Sequence, residues 1–342
     1  MKGLIKHINF TCFILTGISC CFTDELVGQD LHFSQFYEAP LLRNPALAGL
    51  FEGDIRVQGV HRSQWNSISY PFQTSSINAE YKFHLGSGED FMTFGGQVMY
   101  DKAGTVQLRT VQMLPALTFH KSLSQNRNTY LSVGFMGGMV SRGLDRSRVT
   151  TNSQYDGFYF NGALPDGETF IGTYSYMDMS VGMSFNSTLG ANEQHNFFAG
   201  VAYHHFNKPV SSFYKNVTHL PKYVFSGGLK LNLDEYSYLT FHGDLLIQTP
   251  FKQAIAGGMY SKRIGDESES YYTVHAGMFY RYNDALIPVL KFDVQKLSVG
   301  ISYDINTSSL ATASRNRGGF EISLSYITAR PRRAQTIHCP TF

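Results

Sequence analysis

Apolar and polar residues alternate with a period of two along most of this chain. Near its C-terminus Leu297, Val299, Ile301, Tyr303 and Ile305 alternate with Ser298, Gly300, Ser302 and Asp304, and Phe320, Ile322, Leu324 and Tyr326 alternate with Glu321, Ser323 and Ser325. The same rhythm sets Met177, Met179, Val181, Met183 and Phe185 against Asp178, Ser180, Gly182 and Ser184, and Met92, Phe94, Val98 and Tyr100 against Thr93, Gln97 and Asp101. Successive side chains of a β-strand point to opposite faces, so each stretch has one large apolar face and one small polar face. Followed along the sequence, the pattern predicts about fourteen strands, at 54–64, 73–84, 90–101, 108–121, 128–142, 174–186, 195–205, 221–232, 237–249, 251–263, 271–282, 285–293, 296–305 and 318–328. Each is near the ~10 residues with which a tilted strand crosses a bilayer.

The connections test this reading. Those at 143–173, 206–220 and 306–317 are long and follow odd-numbered strands, whereas 85–89, 233–236 and 264–270 follow even-numbered strands and are short. Long loops on one side and tight turns on the other are the extracellular and periplasmic ends of an outer-membrane barrel, and an even strand number suits one chain closing on itself. Pro115 and Pro288 fall inside expected strands, where a residue without N–H is tolerated at a bulge or an edge. A soluble β-sandwich also alternates, but it would put charges on the outer face where this chain repeats Phe, Tyr, Met and Leu. The expected fold class is therefore all-β, a transmembrane antiparallel β-barrel of about fourteen strands. The segment 29–53 does not alternate and is expected to act as an N-terminal plug.

Composition sharpens the picture. Only 16% of residues are charged, against roughly 25% in ordinary soluble proteins. Past residue 22 no apolar run approaches the ~18 residues of a membrane helix, which excludes a helical membrane protein. The 27 Phe and 21 Tyr fit interface girdles. With a net charge of +2 and scattered Lys and Arg, there is no nucleic-acid footprint. Lys2 and Lys6 followed by apolar Phe10 to Ile18 read as a secretory signal peptide, 1–28, cleaved somewhere within 19–28; lipid on Cys20 or Cys21 is the alternative. Once it is removed only Cys339 remains, so no disulfide framework is expected. The chain thus divides into the signal peptide, a motif segment at 29–53, a barrel at 54–328 and a periplasmic tail at 329–342.

The most specific motifs precede and end the first strand: His32-Phe33-Ser34-Gln35-Phe36, Asn44-Pro45-Ala46-Leu47-Ala48-Gly49 and Arg62-Ser63-Gln64-Trp65. Taken alone, Asn44-Pro45 is a turn initiator and Gly49 permits left-handed backbone. Arg62 and Gln64 share the inward parity of Asp54, Arg56 and Gln58 and would pair with carboxylates of other strands. The single Trp65 would anchor a strand end at the membrane interface. In this order the three motifs resemble the PorP/SprF family of outer-membrane proteins of the Bacteroidetes type IX secretion system, whose pattern runs Phe-Ser-Gln-Tyr, Asn-Pro-Ala-x-Ala-Gly and Arg-x-Gln-Trp. Ser302-Tyr303-Asp304, Glu321 to Tyr326 and the terminal Cys339-Pro340-Thr341-Phe342 also resemble the family. The residues carrying the likeness are Phe33, Ser34, Gln35, Asn44, Pro45, Ala46, Ala48, Gly49, Arg62, Gln64, Trp65, Tyr303, Asp304 and Glu321. Phe36 stands where the family has Tyr, and 143–173 matches nothing in it. The resemblance implies an outer-membrane barrel in a Gram-negative bacterium, in contact with membrane lipid and other type IX components. Such a barrel would assist export or surface retention of client proteins, gliding adhesins included, with a lipoprotein ring as periplasmic partner.

No pattern supports catalysis or a bound cofactor or metal. There is no Gly-x-Ser-x-Gly elbow, His-Glu-x-x-His or phosphate-binding glycine loop. His204 and His205 should point to opposite faces of a strand, and His242 with Asp244 is a weak dyad on one face. The expectation is no enzyme; the functional alternative is a passive pore or solute channel. Three structural expectations follow from the register. The segment 29–53 should fill the lumen or its periplasmic mouth. Arg56, Arg62, Asp178, Lys230, His242, Asp244, Arg281, Asp304 and Glu321 should point inward. With both termini periplasmic, the loops 143–173 and 206–220 should be extracellular, with Tyr155, Phe158, Tyr159, Phe160, Phe213 and Tyr214 as candidate client contacts or as a cap folded back on the barrel. The basic tail, with Arg330, Arg332 and Arg333, is expected to be solvated, with contact to a periplasmic partner as the alternative.

Overall fold

The computed structural model describes residues 30–64, 70–86, 88–124, 128–169, 171–190, 195–214, 217–265, 272–308 and 310–328. Two units divide the chain at Leu31; of the first, only Asp30 and Leu31 are described, and everything below concerns the second, His32–Phe342. The expected signal peptide, Trp65 and the tail 329–342 lie outside the described residues.

Alternation becomes strands throughout: β1 Ile55–Gln64, β2 Phe72–His84, β3 Phe91–Ala103, β4 Leu108–Ser124, β5 Thr129–Gly143, β6 Thr173–Leu189, β7 His195–His204, β8 Lys222–Asn232, β9 Ser237–Gln248, β10 Phe251–Ile264, β11 Tyr272–Arg281, β12 Ala285–Val294, β13 Leu297–Asn306 and β14 Arg317–Thr328. Each strand pairs antiparallel with its sequence neighbours, and β14 returns to β1 to close the barrel. The closing register runs from Ile55↔Thr328 to Gln64↔Gly319 and sets Arg62 opposite Glu321. Closure removes every sheet edge, so the backbone is satisfied within hydrocarbon.

The two prolines interrupt pairing without shifting register. β4 and β5 pair at Met113↔Met139 and Ala116↔Met136, on either side of Pro115. There Gly138 accommodates the ring, since a Cβ on it would stand 3.1 Å from Pro115 Cδ. β12 and β13 pair at Leu286↔Ile305 and Val289↔Ser302, either side of Pro288, and the β13–β14 ladder is irregular between Tyr303 and Ile305.

Phe94, Val98, Met113, Leu117, Phe135, Met183, Phe241, Leu290 and Leu324 are exposed on the outer face. An apolar surface encircling the molecule far exceeds the few hundred Å² that soluble monomers expose; its solvent is lipid. All nine ionisable residues expected inside are turned inward, and Lys230, half-buried, holds its ammonium 4.4 Å from the Tyr238 ring centre.

The lumen is filled by 32–53, which forms a 3-10 turn at Phe36–Glu38, a single helical turn α1 at Pro40–Arg43 and a second 3-10 turn at Pro45–Leu47. Pro40 and Pro45 open their turns, where a missing N–H costs nothing. Turns this short do not persist alone; packing holds them. Phe36 enters a cluster with Ile255, Met259, Phe279, Ile287 and Val289, and Leu41 and Ala48 another with Leu114, Ala116, Met136 and Val140. The lumen face is therefore not uniformly small and polar: it turns apolar where β4–β5 and β10–β12 meet apolar plug residues. A helix of five residues, α2 Leu310–Ser314, lies in the loop before β14.

Candidate functional site

The plug descends the full barrel. Ser34 and Gln35 lie beside Arg62, Asp304 and Glu321 near the long-loop ends of β1, β13 and β14, while Phe51 lies beside Lys82 near the short-turn end of β2. The plug thus starts, at His32–Gln35, at the long-loop end and not at the end expected of a periplasmic N-terminus. Its first residues sit at the long-loop end because the acceptors for their N–H groups are there, and only at Gly53–Asp54 does the backbone turn into β1.

The first seat joins the Phe-Ser-Gln and Arg-x-Gln motifs to the C-terminal strands. The Glu321 carboxylate accepts the backbone N–H groups of Ser34 at 2.7 Å and Gln35 at 2.8 Å. Ser34 Oγ donates to Asp304 Oδ1 at 2.6 Å, and Asp304 Oδ2 is shared by Arg62 Nη2 at 2.9 Å and Arg281 Nη2 at 2.6 Å. Arg62 also reaches Glu321 at 3.2 Å and donates to the His32 carbonyl at 2.7 Å. Ser323 Oγ donates to Gln35 Oε1 at 2.7 Å. All these side chains are buried, which makes their mutual compensation obligatory.

The second seat holds the Asn-Pro-Ala turn. Asn44 Oδ1 accepts from the Ala46 N–H at 2.8 Å, and Nδ2 donates to the Met183 and Val201 carbonyls at 3.1 and 3.2 Å. Thr118 Oγ1 donates to the Pro45 carbonyl at 2.8 Å and Ser184 Oγ to that of Ala46 at 3.0 Å. The wall is cut to fit: a Cβ on Gly182 would stand 1.9 Å from Asn44 Oδ1, and one on Gly134 2.5 Å from Ala46 N. Gly49, the last motif residue, has φ +80°, donates its N–H to Glu80 Oε2 at 2.7 Å, and would bring a Cβ to 2.1 Å from Thr93 Oγ1. Glu80 is braced by Arg56 at 2.8 Å, and Lys82 Nζ donates to the Phe51 carbonyl.

Two further seats are formed by plug residues outside the motifs. Arg43 grips Asp244 through two parallel bonds of 2.7 and 2.5 Å, its guanidinium 4.8 Å from the Phe36 ring centre. Glu38 accepts from Lys291 at 2.8 Å and from Gln58 Nε2 at 2.9 Å. Periodicity turns Asp244 inward but does not reveal its partner, 201 residues away, and the pair of Glu38 with Lys291, 253 residues apart, is not among the expectations at all.

Of the motif residues, Phe33, Ser34, Gln35, Asn44, Pro45, Ala46, Ala48, Gly49, Arg62, Asp304 and Glu321 meet in the lumen. Gln64 ends β1 on the same face, and Tyr303 points outward to lipid. Asp244 is occupied by Arg43, while Tyr37 stacks on His242 at 5.5 Å, so the two form no dyad. His204 and His205 do not diverge as expected. His205 has φ +58°, and both rings are buried, His204 Nε2 against the Arg43 carbonyl at 3.1 Å and His205 Nδ1 against Asp178 at 2.8 Å.

On the long-loop side Tyr155, Phe158, Tyr159, Phe160 and Tyr214 are exposed, Phe158 to 91%. Only Phe213 folds back, edge-on to Tyr174 at 4.7 Å. The aromatic tip is ordered from within: Asp156 Oδ1 accepts the N–H groups of Phe158 and Tyr159 at 2.9 and 3.0 Å, and Tyr155 bridges to Phe160. Arg146 and the hydroxyls of Thr151 and Ser153 gather around Asp166.

A closed, lipid-facing barrel whose lumen is stoppered by its own N-terminal segment defines a plugged outer-membrane β-barrel. Residues 26–326 match the profile of the type IX secretion system membrane protein PorP/SprF. The chain belongs to that family, and it is a membrane component associated with that secretion system. No curated protein sequence matches it. Among solved structures it is similar to a Pseudomonas aeruginosa FadL homologue (TM-score 0.47, 10% identity, covering 83% of this chain and 92% of that one). It is also similar to the CymD monoaromatic hydrocarbon channel (0.47, 10%, 90% and 95%). A third likeness is to CdiB from Acinetobacter baumannii (0.41, 8%, 80%), of whose length it spans 60%.

Proposed function

We propose that this chain serves type IX secretion in a Gram-negative bacterium as a stoppered, non-enzymatic barrel that assists export or surface retention of particular client proteins, gliding adhesins among them. The observation that carries this reading is the plug. Eleven of the fourteen motif residues that mark the family meet in the lumen, in the plug or on the wall that seats it, leaving the long loops as the surface offered to a client. Tyr155, Phe158, Tyr159, Phe160 and Tyr214 supply exposed aromatic area of the kind that dominates protein interfaces, and the Asp156 bonds preorganise it. At the opposite end, the short turns and the tail 329–342 would face a periplasmic lipoprotein ring.

Deleting 145–170 tests the client role. Insertion of the barrel should be normal, because no strand is touched, while client export or retention should fail. Normal insertion with undiminished export would remove this loop from the mechanism.

A further inference from the structure

One stretch of lumen wall faces the plug with amide side chains that the described residues satisfy only in part. Gln58 on β1, Asn78 on β2 and Gln97 on β3 are direct ladder partners in one row, all turned inward and 4%, 1% and 1% exposed. Side chains so placed stand about 5 Å apart. Among the described residues Asn78 Oδ1 and Nδ2, Gln58 Oε1 and Gln97 Oε1 have no hydrogen-bond partner. The other amide nitrogens are engaged, Gln58 Nε2 with Glu38 of the plug at 2.9 Å and Gln97 Nε2 with Ser76 Oγ at 3.3 Å. Buried polar groups of this kind are satisfied by protein or by ordered water, and the described residues offer these four atoms no partner.

The surroundings say what fits. Three oxygens and one amide nitrogen carry no net charge, and the nitrogen is a donor, which disfavours a cation. Towards the short-turn end the row is closed by the Arg56–Glu80–Gly49 lattice and by Leu41, whose Cδ1 would lie 3.6 Å from a Cβ on Gly95. Towards the long-loop end it continues polar, through Ser76 to Thr74, which donates to Asp101 at 2.7 Å. We propose that Gln58, Ser76, Asn78 and Gln97 form a hydrated cell between plug and wall, a blind site that binds water and is continuous with the extracellular end of the lumen.

Two methionines make the test possible in the unaltered protein. Met99 pairs with Ser76 on the inward face beside the cell, and Met136 lies in the apolar cluster with Leu41 and Ala48; they are 1% and 2% exposed. A millisecond X-ray pulse generates hydroxyl radicals from bound water at the spot where it sits, and methionine sulfur captures them as sulfoxide. Radiolytic footprinting of the folded barrel, read by mass spectrometry, should oxidise Met99 several-fold faster than Met136. Equal protection of the two would overturn the proposal. In Asn78→Leu/Gln97→Leu, with folding checked by heat-modifiable gel migration, Met99 oxidation should fall to the Met136 level, and unchanged oxidation would also overturn it. Should that variant fail to fold, the comparison within the native chain decides alone.

Discussion

Gly182 carries no side chain because Asn44 needs the space. A methyl there would overlap Asn44 Oδ1 at 1.9 Å, and overpacking of this kind costs typically about 1–3 kcal/mol. Gly182→Ala should therefore lower the melting temperature of the detergent-solubilised barrel, and the same change in an Asn44→Ala background should cost much less, a positive coupling in a double-mutant cycle. Additive losses would mean that the two residues do not meet. Glu321→Gln removes the charge that holds two plug N–H groups and Arg62. Breaking a buried pair costs roughly 3–5 kcal/mol, so the plug should loosen and trypsin should cut after Arg43, which Asp244 protects in the native chain. Unchanged resistance would show the seat to be dispensable. These roles were half legible in the sequence. Asn44, Gly49, Asp304 and Glu321 stand out as motif residues, and parity turns the last two inward. Their partners were not legible, because Ser34 and Glu321 lie 287 residues apart, and no local pattern encodes such a contact.

At the level of elements, the period-two pattern located all fourteen strands to within three residues, because each must show lipid one face and the lumen the other. It failed where backbone departs from the pleat: the positive φ at His205 turns a second imidazole inward, which alternation forbids. It also passed over the apolar inward faces of β4–β5 and β10–β12, since an apolar lumen makes sense only once the plug is in place. The loop between β5 and β6 showed itself by length alone, and its internal order comes from three aspartates. Side-chain and backbone bonds from Ser147 with Arg148 hold Asp145 below the usual carboxylate range, backbone N–H groups of Tyr159 and Phe158 do so for Asp156, and those of Glu168 with Arg146 for Asp166. A carboxylate depressed in the folded state stabilises above its ordinary value of 3.8 and stops doing so as pH falls through the lowered one. Amide exchange at Phe158 and Tyr159, corrected for intrinsic rate, should be protected at neutral pH and lose protection below that value. Protection unchanged in strong acid would mean that the aspartates do not order the tip.

Across the whole molecule, plug and barrel are mutually dependent. The wall supplies Asp244, Glu80, Lys291, Asp304 and Glu321, and the plug supplies Arg43, the Gly49 N–H, Glu38, Ser34 and the Gln35 N–H. Either half alone would leave charges buried without partners, the costly state, so the stopper belongs to the folded barrel. Ion flow reports on this directly. Purified full-length protein in a planar bilayer should show no steady conductance, while a variant lacking 32–50 that still inserts should open large, steady channels. A large, steady conductance from the full-length protein would contradict a stoppered barrel and favour a solute pore.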